Sequence, residues 1–210
     1  MERKFKFETG EYYHVYNRGI ARLPVFYNDS DYERFINLLY LCNSSKPVVY
    51  RLIQGDPLYE ERGGTLVDIV AYVLMPNHYH LILREKVEGG IIKFLSKVMT
   101  AYTMYFNTKN ERGGQLFCKP FRAKHINEDA YFRWVLSYIH LNPLGLVSDE
   151  KRKKDDMNKY LKEYKYSSFI DYYVGKRKES NILEMSCVDE FEIEDLNKVS
   201  TMEQIVETYK

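Results

Sequence analysis

One pair of histidines in the sequence has a spacing that suits metal binding. His78 and His80 are separated by one residue in a stretch, residues 78–84, that is predicted to be a strand. Side chains alternate between the two faces of a strand, so both imidazoles leave the same face and can converge on one divalent metal, whereas Tyr79 points into the core. Such a pair on its own is more often packing or surface than a ligand pair, so a structural role stays open here.

A second candidate lies at the end of a predicted helix that must stop before Pro143. Tyr138 and Asn142 are four residues apart and therefore lie on one helical face. The amide oxygen of Asn142 can complete a metal shell begun by two histidines. Taken alone, Tyr138 is an ordinary core or boundary residue, since the chain holds 20 tyrosines.

A third candidate is the basic stretch from Lys119 to His125, in which an aromatic residue is interleaved. Lysine and arginine at this density can contact phosphates, while Phe121 or Phe117 stacks on an unpaired base. Arg18, close after the first predicted strand, can add to the same surface. A solvated basic loop is the alternative that the sequence leaves open.

The elements that must position these side chains follow one another in the order strand, helix, strand, strand, helix, with a further helix behind them. Ser30 and Glu33 form a capping-box pattern at the start of the first helix, and Asn127 is the predicted N-cap of the last. The order predicts an α+β fold, an antiparallel sheet covered by helices. The strands of this order are predicted at residues 12–16, 65–75 and 78–84, the last two as a hairpin. A further short strand is predicted at residues 46–54, and residues 115–126 are predicted to be irregular.

Length and composition exclude several classes of protein. The chain has 210 residues, of which 45% are hydrophobic and 15% aromatic, as expected of one globular domain with an appended tail. No apolar run approaches the roughly 18 to 20 residues that span a membrane, and the N-terminal stretch has no apolar signal region, so we expect a cytoplasmic protein. Three widely spaced cysteines indicate neither a disulfide framework nor a thiolate zinc site.

The net charge of +1 hides an asymmetry along the chain. Residues 181–210 contain eight acidic and two basic side chains, a net charge of −6, so the first 180 residues carry +7. That excess is compatible with a polyanionic partner, although surface lysines kept for solubility are the commoner explanation.

Four motifs, taken in order, resemble a known family. They are Tyr13–Gly19, Met75–His80, Phe117–Lys124 and Tyr138–Pro143. The chain is similar in them to the REP-associated tyrosine transposases, a branch of the insertion-sequence 200-like, single-tyrosine HUH transposases. PNHYH followed by YIHLNP is specific, because two separate motifs occur in the expected order and spacing. The resemblance covers residues 8–148 and leaves residues 149–210 as a C-terminal extension, whose aromatic patch, residues 164–173, is expected to pack back on the core.

The resemblance implies a ferredoxin-like fold in which central strands carry the histidine pair and a helix presents the tyrosine across from it. It also implies that the first motif lies on an edge of the sheet. Tyr138 would be the nucleophile of a transesterification on single-stranded DNA, through a 5′-phosphotyrosine intermediate. His78 and His80, with Asn142 as the candidate third ligand, would hold Mg²⁺ or Mn²⁺. The metal ion and nearby positive charge are expected to favour the phenolate of Tyr138 at the moment of attack.

The DNA partner implied by the family is a hairpin-forming repeat. The protein is expected to bind it as a monomer or as a homodimer, and no membrane is expected to take part. The candidates for contacts with the DNA backbone are Arg18, Lys119, Arg122 and Lys124. Two alternatives stay open: a domesticated nucleic-acid-binding regulator that does not cleave, and a metal-dependent phosphodiesterase that uses water as nucleophile.

The acidic end of the chain is expected to be either a solvated helix or a segment that competes with DNA for the basic surface, and we predict the competition. Deleting residues 181–210 should therefore tighten the binding of single-stranded DNA at low salt, because a local concentration of negative charge is removed. Fluorescence anisotropy with a labelled oligonucleotide measures this, and an unchanged or weaker affinity would count against competition.

Overall fold

Four strands in the described part of the chain form one antiparallel sheet. The computed structural model describes residues 6–147 and 154–189. Its strands are β1 (Tyr12–Arg18), β2 (Val67–Met75), β3 (His78–Glu85) and β4 (Arg122–Ile126), and its α-helices are α1 (Asp29–Cys42), α2 (Gly90–Lys109), α3 (Asp129–Leu141), α4 (Lys154–Glu163), α5 (Phe169–Tyr173) and α6 (Ser186–Asp189). Within these residues no helix is both long and apolar enough to cross a membrane.

The strands lie in the order β2-β3-β1-β4. Together with the chain order βαββαβ, this is the ferredoxin-like arrangement, and the predicted α+β class is confirmed. The expectation that the first motif lies on an edge of the sheet is wrong, because β1 pairs with β3 on one side and with β4 on the other. The sequence did not predict β4, whose short run of mostly exposed charged residues lacks an apolar pattern.

The two faces of the sheet pack against different helices. Tyr79, Leu81 and Leu83 of β3 are fully buried in a core with α1 and α2. The other face, which includes Ile82, forms a second core with the apolar side of α3. Tyr79 points into the core as predicted, so the alternation of β3 places His78 and His80 on the α3 face.

The first helix begins earlier than its predicted capping box. Helix α1 starts at Asp29, and Asn28 is its N-cap. The Asp31 carboxylate accepts the backbone N–H groups of Tyr27 at 2.8 Å and Asn28 at 3.3 Å, so Asp31 takes the role predicted for Glu33. The N-cap of α3 differs in the opposite direction, since Glu128 holds that position, one residue after the predicted Asn127.

The strand predicted at residues 46–54 is absent. That segment contains a short 3-10 turn, Tyr50–Leu52, and two of its apolar side chains, Val49 and Leu52, are exposed. Tyr50 instead accepts a hydrogen bond from the Asn37 amide of α1. The apolar residues of this segment therefore do not form a buried strand face.

The C-terminal extension covers the outer edge of β2. The Leu74 N–H donates to the Tyr166 carbonyl at 2.9 Å, and the Ser168 and Glu184 N–H groups donate to the carbonyls of Tyr72 and Ile69 at 3.0 and 2.9 Å. These bonds satisfy an edge that would otherwise expose its backbone groups. The expectation that the aromatic patch packs back on the core is confirmed.

The acidic tail lies mostly outside the described residues, which end at Asp189. Residues 181–189 belong to the packed extension, because Ile182 is 3% exposed and Cys187 is fully buried. A deletion from Asn181 would therefore remove core side chains with the tail. Deleting residues 190–210 removes six of the eight acidic residues and leaves this packing in place.

We predict that Arg177→Ala destabilises the extension strongly. The Arg177 guanidinium donates to the carboxylate of Asp171, whose side chain is fully buried, and to the Tyr72 hydroxyl and the Ser167 carbonyl. Removing it leaves a buried carboxylate without its cation, which costs about 3 to 5 kcal/mol. Urea denaturation measures the loss, and Asp171→Asn in the Arg177→Ala background should recover part of it. A loss within experimental error would contradict the prediction.

Candidate active site

The pairing of β1 with β3 places side chains of both strands on one face of the sheet. Tyr16 lies opposite His80, and Arg18 lies opposite His78. His14 is two residues before Tyr16 and therefore shares this face. The sheet thus brings a histidine of β1 next to the histidine pair of β3.

His80 lies at the centre of this group and is 6% exposed. Its Nδ1 is 2.9 Å from Nε2 of His14, which is 5% exposed. Its Nε2 is 3.5 Å from the hydroxyl of Tyr138, a long contact in which the two rings meet edge to face. The two ring nitrogens of His80 therefore have separate neighbours, one on β1 and one on α3.

His78 is oriented by the residue before it. Its Nδ1 is 2.6 Å from Oδ1 of Asn77, and Nδ2 of Asn77 donates to the Arg22 carbonyl at 3.1 Å. The second bond fixes which end of the amide faces the imidazole. Because an amide oxygen only accepts, His78 carries its proton on Nδ1 and leaves Nε2 as the lone-pair nitrogen.

Helix α3 presents Tyr138 to the histidines because its apolar side is anchored in the second core. Phe132, Val135 and Ile139 are fully buried there. Asn142 follows in a 3-10 turn at the helix end, where its side chain is near enough to the Tyr138 phenol and the His78 imidazole to influence the pKa of both. The structure therefore brings together all four residues predicted for catalysis and metal binding.

Burial controls the protonation of the histidines. It lowers the pKa of His80 to about 2, assisted by the neighbouring imidazoles of His14 and His78. It lowers the pKa of His14 to about 4, assisted by the charge of Lys124, and it also lowers the pKa of His78. The three imidazoles are neutral at neutral pH, which is the form that binds metal ions.

Burial has the opposite consequence for the proposed nucleophile. It raises the pKa of the Tyr138 phenol, and the hydrogen bond from Asn142 offsets only part of this effect. The expectation that the metal ion and nearby positive charge favour the phenolate concerns the moment of attack and stays a prediction. Tyr138 is a neutral phenol in this state.

A cavity of about 310 Å³ opens beside the histidine pair. The exposed side chains of Arg18 and Arg122 line it, and so does Arg22, which the sequence did not single out. Lys124 lies opposite His14 on β4 and so faces the same side of the sheet. Three of the four predicted DNA contacts therefore surround the site.

Two residues of the basic stretch lie elsewhere. Lys119 lines a separate groove of about 750 Å³ beside α2 and does not line the cavity at the histidines. Phe117 is 4% exposed and belongs to the core with α1 and α2, so it cannot stack on a base, whereas Phe121, the other residue predicted for this role, is half-buried. The stretch is irregular before β4, and its residues therefore do not share one face.

Comparison with known proteins supports the fold. No family model matches the chain, and no curated protein matches it in sequence. A solved structure of a REP-associated tyrosine transposase bound to a REP hairpin matches it with a TM-score of 0.53 and 12% identity, over 85% of this chain and 90% of that one. In fold, this chain is similar to a REP-associated tyrosine transposase. The likeness agrees with the resemblance found in the sequence motifs.

Local sequence patterns do not reveal the residues that orient the histidines. They assign no role to His14 or Asn77, although both lie within the motifs that resemble those of the REP-associated tyrosine transposases. The signal for His14 is the two-residue alternation that puts it on the same face as Tyr16. Using that signal requires the pairing of β1 with β3, which is a long-range contact.

His140 has a structural role. It is 1% exposed, and its Nε2 is 2.9 Å from the Ser168 hydroxyl. That hydroxyl also accepts the Tyr72 N–H and donates to the Tyr72 carbonyl, so it is left to accept from His140. The bond ties α3 to the extension on β2.

We predict that His140 contributes to acid denaturation. Burial lowers its pKa to about 3 in the folded chain, while the unfolded chain protonates it near pH 6.5. The unfolded state therefore binds more protons below pH 6.5, and stability falls as the pH falls from 6.5 towards 3. In His140→Gln the free energy of unfolding should change less with pH between pH 6 and 4, by roughly 1.4 kcal/mol per pH unit. Urea denaturation at each pH measures the slope, and equal slopes would contradict this role.

Proposed function

We propose that the protein is a transposase-like enzyme that cleaves and rejoins single-stranded DNA through Tyr138. The observation that carries the proposal is the convergence of the Tyr138 hydroxyl, two neutral imidazoles and the Asn142 amide beside an arginine-lined cavity. The similar fold of a transposase bound to a REP hairpin supports the same class of substrate.

The proposed reaction is an exchange of phosphodiesters. The Tyr138 oxygen forms a bond to a backbone phosphorus, and the bond from that phosphorus to the 3′-oxygen breaks. The phenol loses its proton, and the leaving oxygen gains one and becomes a 3′-hydroxyl. The 5′-phosphotyrosine conserves the ester, so a 3′-hydroxyl of another strand can attack it and regenerate the phenol without a nucleotide cofactor.

The residues present fit a divalent metal such as Mg²⁺ or Mn²⁺. His78 and His80 each use Nδ1 for a hydrogen bond within the protein, which leaves Nε2 as the donor atom. Among the described residues no three His, Cys, Asp or Glu side chains form a metal site, so the Asn142 oxygen is the third protein donor in this proposal. When bound, the ion would polarise a non-bridging phosphate oxygen.

The chain's own groups bind and orient the substrate. Arg18, Arg22 and Arg122 line the cavity and balance the phosphate charge. Asn142 holds the Tyr138 hydroxyl through its hydrogen bond, and packing of α3 keeps the phenol partly out of water. A phosphate within a stiff duplex is hard to align with a tyrosine held in this way, which favours an unpaired strand next to a hairpin.

One chain supplies all four residues of the proposed chemistry. The distance of 3.5 Å between His80 and Tyr138 lies within a single polypeptide. A monomer can therefore carry the site, and a homodimer that exchanges α3 is the other arrangement open to it.

We predict that the wild-type protein forms a covalent adduct with a labelled single-stranded oligonucleotide that carries a hairpin. With Mn²⁺ present, the adduct should appear as a shifted band on a denaturing gel, and EDTA should abolish it. Tyr138→Phe should form none, because only the hydroxyl is removed. Tyr131→Phe, another tyrosine of α3 that stays part-buried, is the matched control and should retain the adduct.

The same gel separates the alternatives. Cleavage that persists in Tyr138→Phe would indicate a phosphodiesterase that activates water and would overturn the proposed nucleophile. Binding of the hairpin without cleavage by the wild-type protein, under every metal tested, would indicate a regulator.

We predict that Arg122 interacts with DNA phosphates more strongly than Lys119. Removing one charge that neutralises a phosphate should reduce the slope of log K against log salt by about 0.7 for a single strand. Arg122→Gln should show this reduction, whereas Lys119→Gln should change the slope less, because Lys119 lies in the separate groove. Anisotropy titrations in the Tyr138→Phe background measure binding without cleavage. A larger effect at Lys119 would place the DNA path along α2.

A further inference from the structure

We propose that His14 is a positioning residue that fixes the tautomer and the ring orientation of His80. The inference rests on the proposed function, since orienting His80 matters only if Nε2 of His80 binds the metal ion. Its own content is structural and can be tested separately. His14 would accept the Nδ1–H of His80 and so keep Nε2 as the lone-pair nitrogen.

The contact between the two histidines is short and shielded from water. Nε2 of His14 and Nδ1 of His80 are 2.9 Å apart, and both residues are no more than 6% exposed. Their rings are nearly parallel, with centroids 5.1 Å apart. Water does not compete for this bond, so one of the two nitrogens carries a proton and donates it to the other.

The surroundings favour His80 as the donor. On the far side of His80, the Tyr138 hydroxyl faces Nε2 at 3.5 Å. A neutral phenol can donate into a lone pair there if His80 carries its proton on Nδ1. His78 gives a second precedent at the same site, because its Nδ1 donates to the Asn77 oxygen and its Nε2 carries no proton. With the same tautomer at His80, both histidines present Nε2 as a donor atom beside Asn142.

His14 itself is held in place by the sheet. Strand β1 pairs on both sides, with Ile82 of β3 and Lys124 of β4 opposite His14. The ring lies 5.0 Å from that of Tyr16 and 5.9 Å, edge to face, from that of Tyr138. A side chain confined in this way can restrict the rotation of its partner.

His14 is not placed as a third metal ligand. Its Nε2 is taken by His80, and no group of three His, Cys, Asp or Glu side chains in the described residues is arranged to hold an ion. Groups that orient a ligating histidine typically affect metal affinity by about 10- to 100-fold. His14 therefore acts through His80.

Two substitutions in the full-length protein separate orientation from packing. His14→Gln keeps an oxygen that can accept near the position of Nε2, whereas His14→Leu has a comparable apolar volume and no acceptor. The probe is Mn²⁺, whose free concentration is followed by electron paramagnetic resonance. His14→Leu should weaken Mn²⁺ binding about 10- to 100-fold. His14→Gln should stay within about threefold of the wild type, and His125→Leu, which removes a histidine on the opposite face of the sheet, should not change the affinity.

Long-range ¹H–¹⁵N correlation spectra of the metal-free protein give a readout besides metal binding. They should show His80 with its proton on Nδ1 in the wild type and in His14→Gln, and a loss of that preference in His14→Leu. A proton on Nε2 of His80 in the wild type would overturn the inference. Thermal melts of each variant identify any that fail to fold. If His14→Leu does not fold, His14→Gln decides the result, because loss of the Nδ1 proton preference of His80 in that variant would contradict the role of His14.

The outcomes keep the two proposals apart. Unchanged Mn²⁺ affinity in His14→Leu, with binding that still depends on His78 and His80, would overturn the role of His14 and leave the proposed function standing. No Mn²⁺ binding by the wild type would count against the proposed metal site, while the spectra would still decide the tautomer. Pulsed resonance that counts three imidazole ligands in the wild type and two in His14→Leu would make His14 a ligand and also overturn the inference.

Discussion

The site depends on the antiparallel register between β1 and β3. That register sets Tyr16 opposite His80 and Arg18 opposite His78, and so fixes which face carries the histidines. A slip of one residue would turn every side chain of a strand to the other face. Tyr79 prevents such a slip, because it is fully buried and its displacement would bring an imidazole into the core with α1 and α2. The packing of Tyr79 in the core therefore also fixes the orientation of the histidines in the site.

The second core completes the site by fixing α3 on the opposite side of the cavity. Tyr138 reaches His80 because the apolar side of α3 packs on the same sheet face from which the histidines project. The extension contributes at a distance. It pairs with the outer edge of β2, and His140 joins α3 to it through Ser168. The helix that carries the proposed nucleophile is thus braced by the sheet and by the C-terminal residues.

The parts of the site that sequence could predict are those set by local periodicity. The shared face of His78 and His80 follows from the strand repeat, and the stacking of Tyr138 with Asn142 follows from the helical repeat. The contact of His14 with His80 joins residues 66 positions apart and depends on strand pairing, which no local pattern reveals. Strand β4 and the different locations of Lys119 and Arg122 could not be predicted for the same reason. These exposed charged residues look alike in sequence, and only the pairing of strands determines where each one lies. The roles of these residues in catalysis and binding stay predictions.

Desolvation acts on the two halves of the proposed chemistry in opposite directions. It keeps His78 and His80 neutral and so makes their nitrogens available as donors, yet it raises the pKa of the Tyr138 phenol and makes it a poor nucleophile. The cationic side chains that could reverse the second effect, Arg18 and Arg122, are exposed at the cavity and are shielded by solvent. In the proposed reaction, activation of Tyr138 therefore depends on the positive charge of a bound metal ion.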